Sequence, residues 1–277
     1  MSTGSLTLVA TPIGNLGDIT QRAIDALTAA DIVCCEDTRR TGMLLSHLGI
    51  SGKKYFVVNE HTEHDACDEI VASIVAGRNV ALVSDAGTPG ISDPGERVVR
   101  AALAANIPVT SAPGVAALTM ALVLSGMPTA RFVFEGFLPR SGGERAARLA
   151  AIADEPRTIV LYEAPHRIER TLADLEVACG AMRNVALARE LTKMHEDVWR
   201  GTLHDAVRHA NDVAPRGEYV IVIEGARPPA PATDDEIIQA LRHEMAAGAS
   251  KRDAAARVAA KLGAAKRRVY ELALQLQ

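Results

Sequence analysis

Three stretches combine glycine, proline and small polar residues in a way that suits close contact with a ligand. They are Thr11-Pro12-Ile13-Gly14-Asn15-Leu16-Gly17, then Ser84-Asp85-Ala86-Gly87-Thr88-Pro89-Gly90 with Ser92-Asp93-Pro94-Gly95, and Pro113-Gly114-Val115-Ala116-Ala117. Glycine at such positions lets backbone amides approach a bound molecule, while the Asp and Thr side chains can hold its polar parts. Taken singly, each stretch could be a tight turn, with Asp93 capping the helix that follows. None is the glycine-rich dinucleotide fingerprint or a phosphate loop, so cradling of phosphate is not the expected chemistry and a different adenosyl ligand fits better.

The elements that must position these loops read as alternating strand and helix, the pattern of an α/β fold with a largely parallel sheet. Strands are expected at 6–10, 32–35, 54–58, 79–84 and 108–111, and helices at 20–30, 65–76, 95–105 and 115–124. Each of the three loops therefore follows a strand, and loops at the carboxyl ends of parallel strands converge on one rim where ligands bind. Ser125-Gly126-Met127-Pro128 is turn chemistry and marks a boundary, after which strands are expected at 131–135, 158–163, 184–189 and 218–224. The run Ala226-Arg227-Pro228-Pro229-Ala230-Pro231 reads as a stiff, extended linker to a helical tail. The resulting division is 1–125, 126–227 and 234–277.

Length and composition agree with that division and exclude some functions. A chain of 277 residues, 48% hydrophobic and 23% charged, has apolar surface for more than one core and is not a disordered chain. A net charge of -4 excludes a protein that is basic throughout, so any contact with nucleic acid must come from local patches. Aromatic residues make up only 3%, which argues against rows of rings stacking on single strands. Cys34, Cys35, Cys67 and Cys179 form no metal-binding spacing, and the first two lie in an apolar run, as core thiols in a reducing compartment do. No leader peptide or membrane-length apolar run is evident, so a cytoplasmic protein is expected.

The tail is where positive charge collects. Ser250-Lys251-Arg252-Asp253 opens one helix, Gly263 breaks it, and Ala264 to Leu274 forms a second. Lys251, Arg252, Arg257, Lys261, Lys266, Arg267 and Arg268 stand against Asp253 and Glu271. Two short helices about a glycine resemble a helix-turn-helix that lays basic residues on phosphates; the plainer reading is a solvated helical cap.

Several blocks together carry a family resemblance. Leu8 to Thr20, Glu36-Asp37-Thr38-Arg39 and Val83 to Gly95 resemble the tetrapyrrole-methylase superfamily, in particular its branch that methylates the 2'-hydroxyl of a ribose in ribosomal RNA. Phe134-Glu135-Gly136-Phe137-Leu138-Pro139, Tyr162-Glu163-Ala164-Pro165-His166-Arg167 and Ala188-Arg189-Glu190-Leu191-Thr192-Lys193 are similar to further blocks of that branch, in the same order. Val115 departs from the proline that many relatives carry.

The resemblance implies two α/β domains of the tetrapyrrole-methylase type with S-adenosylmethionine in the cleft between them, a small C-terminal helical domain, and a homodimer. It implies as substrate a cytidine of small-subunit ribosomal RNA, free or within the 30S subunit. Carried over by position, it places Pro12, Asp85, Gly87, Thr88, Pro89, Pro113, Gly114, Ala116, Ala117 and Tyr162 beside the cofactor. A ribose hydroxyl is a poor nucleophile at neutral pH, so a base or a cation is needed beside it. Glu36, Asp37, Arg39, Glu190 and Lys193 are the polar residues of these blocks that could serve, although Glu36 and Asp37 could equally be tied up by Arg39 and Arg40. For RNA the expected contacts are Lys251, Arg252, Lys266, Arg267 and Arg268.

Other readings remain at this level. His61 and His64 lie three apart beside acids, but without the spacing of a helical zinc pair or a third ligand, so no metal is expected and a loop that is solvated or touches RNA fits better. The same fold could methylate a tetrapyrrole or another small molecule, which would gain nothing from a basic tail. A non-enzymatic DNA-binding regulator would leave the three Gly/Pro loops unexplained.

Overall fold

Ile32–Cys35 and Val80–Val83 are buried at every position because both faces of their sheet are covered, and such strands read as unbroken apolar runs. In the computed structural model, which describes residues 4–59, 62–212, 215–227 and 231–276, the chain begins with an all-parallel unit. Its elements are β1 (Leu6–Val9), α1 (Gln21–Ala29), β2 (Ile32–Cys35), α2 (Thr38–His47), β3 (Lys54–Val57), α3 (Glu63–Val75), β4 (Val80–Val83), α4 (Glu96–Ala104), β5 (Val109–Ala112) and α5 (Ala117–Ser125). The strand order is β3-β2-β4-β1-β5. The connection leaving β1 runs to one side, toward β2, and the connection leaving β4 runs to the other, toward β5. The crevice between the ends of β1 and β4 is therefore a topological switch point, where ligands bind in open parallel sheets.

That crevice is braced by the loops themselves. Thr11 and Gly87 exchange two backbone hydrogen bonds of 2.8 and 3.0 Å, and Thr11 Oγ1 donates to the Ser84 carbonyl. Gly87 takes φ +88°, a conformation open to glycine and strained for other residues. Helix α2 is an element that the sequence pattern leaves unassigned; only Thr41 and Leu45 of it are buried, so its apolar stripe is short. Asp93 does not occupy the cap position of α4: the residue there is Gly95, at φ +134°. Cys34, Cys35 and Cys67 are buried within this core, none of them in a disulfide.

A second sheet follows, made of β6 (Phe132–Phe137), β7 (Thr158–Glu163), β8 (Asn184–Arg189), β9 (Asp197–Thr202) and β10 (Tyr219–Ile223), in the order β6-β7-β10-β8-β9. It is mixed, with β6 and β7 parallel and the other pairs antiparallel. Between the strands run α6 (Gly142–Asp154), α7 (Ile168–Cys179) and α8 (Leu203–Asp212). One face buries Leu172, Leu175, Leu203 and Ile221 against α7 and α8. The other packs Val160, Ala186, Ala188, Val220 and Val222 against Leu118, Ala121 and Leu122 of α5. Strand β9 is absent from the sequence pattern; it carries Trp199 stacked on His209, and its polar alternation hides it.

A buried polar network fixes the end of β7. Glu163, 1% exposed, accepts a hydrogen bond from Thr171 at 2.6 Å and forms an ion pair with Arg167 at 3.1 Å. Arg145, 4% exposed, donates to Thr171, to the Pro139 carbonyl and to Asp174. Every member has a partner, so the network holds the neighbouring Tyr162 in place rather than costing stability.

Both sheets lie in one compact unit, Met1–Ala226, and Arg227–Gln277 forms another. The latter has three helices, α9 (Asp234–Ala246), α10 (Lys251–Leu262) and α11 (Lys266–Gln275), around a core of Ile237, Leu241, Val258 and Val269. Thr233 and Glu236 form a reciprocal capping box at the start of α9. Pro228, Pro229 and Ala230 of the expected linker, and His61, lie outside the described residues, and nothing is described of the His64 side chain.

Candidate active site

The carboxyl ends of β1, β2, β4, β7 and β8 meet around one cleft of about 280 Å³ inside the larger unit. Strand β10 runs antiparallel to β7 and β8, so its beginning, Glu218 and Tyr219, reaches the same rim as Tyr162 and Ala188. Strand direction is invisible in the sequence, which is why sequence reasoning misses Glu218.

The walls divide by chemistry. Ile13, Ala116, Ala117, Leu191 and Val220 supply apolar surface, while Glu36, Asp85, Asp93, Glu190 and Glu218 supply carboxylates. Of the residues expected beside a cofactor, Asp85, Gly87, Thr88, Ala116, Ala117 and Tyr162 line this cleft. Pro12 lines an adjoining pocket that shares Arg40 and Asp85 with it. Pro89, Pro113 and Gly114 are not on the wall. The Pro113 carbonyl accepts a bond from Thr20, and a Cβ on Gly114 would lie 2.9 Å from that of Ala10, so these two shape the turn after β5.

The candidate catalytic residues separate into two groups. Glu36, Glu190 and Lys193 face the cleft. Asp37 and Arg39 do not: they pair with each other at 2.8 Å, and Asp37 caps α2. The hydrogen bonds from Arg39 hold the Asp37 carboxyl down at about 2, so it stays charged and occupied. Arg40, absent from the expected set, reaches Asp85 at 3.4 Å and lines the cleft.

Glu190 and Lys193 sit on a strained loop that joins β8 to β9. Glu190 has φ +51° and Thr192 φ +67°, sparsely populated values for residues with side chains, and such strain collects at functional sites. Lys193 Nζ donates to Glu190 Oε1 at 2.8 Å. The Lys193 stem crosses Gly14, where a Cβ would collide with its Cγ, and the Glu190 carboxylate lies over Gly217, where a Cβ would collide with Oε1. Two glycines thus make room for one ion pair, which explains Gly14 better than a turn does.

Burial and neighbouring acids set the remaining groups. Asp93 is pushed up to about 7, first by burial and then by Glu36, Asp85 and Glu218. Burial raises Tyr162 to about 12, so its phenol stays neutral and is not a base. The Tyr162 hydroxyl instead accepts from the Leu118 amide at 3.1 Å, capping α5, which has no side-chain cap of its own.

The helical unit presents the five residues expected to meet RNA unequally. Arg252, Lys266 and Arg267 are exposed, Arg267 with Glu271 beside it at 2.9 Å. Lys251 is half-buried and donates to the Leu276 carbonyl, and Arg268 bonds Asp234 at 2.6 Å. Helix α9 brings acids that a reading of the last two helices alone leaves out, so residues 227–277 hold nine basic and six acidic side chains.

Comparison with known proteins places this architecture. Residues 5–207 match the family model described as Tetrapyrrole (Corrin/Porphyrin) Methylases. Ribosomal RNA small subunit methyltransferase I of Synechocystis sp. is 47% identical over 276 residues, which is 99% of each chain. The protein of the same name from Haemophilus influenzae is 41% identical over 98% of this chain and 97% of its own. Among solved structures, the methyltransferase CobJ aligns with a TM-score of 0.62 at 21% identity, over 83% of this chain and 98% of that one. Uroporphyrin-III C-methyl transferase from Thermus thermophilus, complexed with S-adenyl homocysteine, aligns with a TM-score of 0.55 at 19% identity, over 80% and 97%. With nearly three quarters of its length inside the family model and near-complete matches to such relatives, the chain belongs to the tetrapyrrole methylase family, in the branch whose members are named ribosomal RNA small subunit methyltransferase I.

Proposed function

We propose that this protein is an S-adenosylmethionine-dependent methyltransferase that methylates the 2'-hydroxyl of a cytidine in small-subunit ribosomal RNA. The observation that carries the RNA reading is near-full-length identity of 40–47% to relatives named for that substrate. The 2'-hydroxyl and the cytidine come from the resemblance of the motif blocks. The cleft fits the methyl donor: apolar Ile13, Ala116 and Val220 suit an adenosyl group, and a wall of carboxylates suits a cationic centre. The donor supplies an electrophilic methyl group on a sulfonium.

The protein's own residues then have separable tasks. Gly87, Thr88, Ala116 and Ala117 hold the donor against the switch point, and Asp85, braced by Arg40, offers it a carboxylate. Glu190 takes the proton of the ribose hydroxyl, and Lys193 steadies the oxygen as charge develops on it; positioned general bases of this kind contribute about 10²–10⁴-fold. Lys251, Arg252, Lys266, Arg267 and Arg268 contact RNA, the three exposed ones most directly. The division into 1–125, 126–227 and 234–277, a homodimer and a cytoplasmic location belong to the same proposal. Among the described residues no helix is long and apolar enough to cross a membrane.

Calorimetry tests the donor site. S-adenosylmethionine should bind equally well after chelation, since the apolar and carboxylate walls of the cleft meet the donor directly. Its affinity should also depend on pH. Asp93, raised to about 7 in the free protein, favours its neutral form there, whereas a cation in the cleft favours the carboxylate. Binding should therefore strengthen as pH rises through about 7 and release protons, and Asp93→Asn should flatten the profile. Loss of binding on chelation, or a profile unchanged by the substitution, contradicts this picture.

A further inference from the structure

Strand β6 contains one extra residue at the point where it reaches the cleft. Phe134 pairs with Val160 and Gly136 with Leu161, so Glu135 is bulged out of the ladder. Side chains alternate along a strand, so Phe134 and Phe137, three apart, would ordinarily face opposite sides. The bulge puts them on the same side: both rings meet Tyr162 edge-on, at 4.9 and 5.7 Å between centroids. Gly136 permits this with φ +62°, and a Cβ there would also press on Ser92 Oγ at 3.1 Å. Bulges beside active sites re-aim side chains, and here the side chain re-aimed is Phe137.

Phe137 is 49% exposed although it is an aromatic residue in a chain with only nine of them. It stands on the wall of the cleft and also on the wall of a wider groove outside it, which shares Ser92 and Asp93 with the cleft and continues along α4. The groove holds Arg97 and Arg100 but also Asp68 and Glu96, with Arg100 only 3.5 Å from Glu96. Its charge is mixed, so it is not a track for phosphates. What it offers is a half-exposed aromatic ring at the mouth of the cleft.

We propose that the Phe137 ring is the seat of the target nucleobase, turned into position by the β6 bulge so that the attached ribose enters the cleft. This rests on the RNA-methylation reading and names the part of the substrate that the cleft mouth recognises. A ribose held in the cleft carries its base outward, and every base has a π-face that stacks on an aromatic ring. The adenine of the methyl donor is the competing occupant, and donor affinity separates the two.

The test compares wild type with Phe137→Ala, Phe137→Leu and Phe137→Trp, measuring methyl transfer to 30S subunits, donor affinity and thermal melting. Wild-type transfer, measured first, checks the function reading on its own. Phe137→Ala and Phe137→Leu should lower kcat/KM for RNA about 10- to 100-fold, the range of a base–aromatic stack. Donor Kd should stay within about twofold, by the same argument. Phe137→Trp should keep most of the activity, and the loss should be the same at low and high salt because no phosphate contact is removed. Phe137→Leu preserves apolar volume, so the comparison survives if the alanine variant folds poorly. Unchanged transfer in Phe137→Leu overturns the proposal, and so does a fall in donor affinity large enough to account for the whole loss.

Discussion

Removing the residues after Pro231 should leave a folded enzyme that binds S-adenosylmethionine normally and methylates ribosomal RNA at least about 100-fold less well at low salt, because phosphate neutralisation dominates affinity for nucleic acid. The two compact units have separate cores, so truncation removes Ile237, Leu241, Val258 and Val269 together and leaves the cores of the two sheets intact. The last residue in the chain to line the cleft proposed for the donor is Val220, so donor affinity should survive. The loss should also be salt-dependent. Three exposed cations on phosphates correspond to a slope of roughly 2 to 3 in log affinity against log salt, and truncation should flatten the profile by that amount. Arg252→Glu, Lys266→Glu and Arg267→Glu combined should mimic it. Reversal at Arg268 is a poorer mimic than the sequence suggests, since it also breaks the bond to Asp234. An intact rate across salt concentrations would make the tail a structural cap.

Gly87→Val should weaken donor binding at least about 100-fold, equivalent to about 2.7 kcal/mol. Two effects act together. Gly87 lines the cleft, and a Cβ there would already touch Ile13 at 3.4 Å, leaving a branched side chain only the ligand's space. Its φ of +88° also strains any β-branched residue, by about 1–3 kcal/mol, which should appear as a lowered melting temperature. Gly87→Ala separates the two, since it adds strain with less bulk. Normal donor binding in Gly87→Val would reduce the loop after β4 to a turn.

The sequence reveals the first sheet and its loops because central parallel strands are continuous apolar runs that the Gly/Pro turns punctuate. The loops found this way contain Asp85, Gly87, Thr88, Ala116 and Ala117, which the family resemblance singles out and which line the cleft. That pattern does not reach Glu218, whose place on the rim depends on β10 running antiparallel, nor Phe137, whose direction depends on a bulge between Phe134 and Gly136. Asp37 and Arg39 have the right residue types for chemistry, but a contact two residues apart spends them on each other. Strand β9 and helix α2 carry too few buried positions for a periodic signal. In the tail, α9 reads only as helical pattern, and the acids that pair with Arg257 and Arg268 go unweighed with it.

The most direct measurement is the nucleoside formed. The enzyme, labelled S-adenosylmethionine and unmodified 30S subunits should be incubated together, with Glu190→Gln in parallel, and the ribosomal RNA digested to nucleosides. Label should appear in 2'-O-methylcytidine with the wild-type protein, and Glu190→Gln, assayed at saturating donor with its donor Kd titrated alongside, should transfer about 10²-fold less or worse. Label on a base, label on a tetrapyrrole but not on RNA, or full activity in Glu190→Gln would contradict the proposed function.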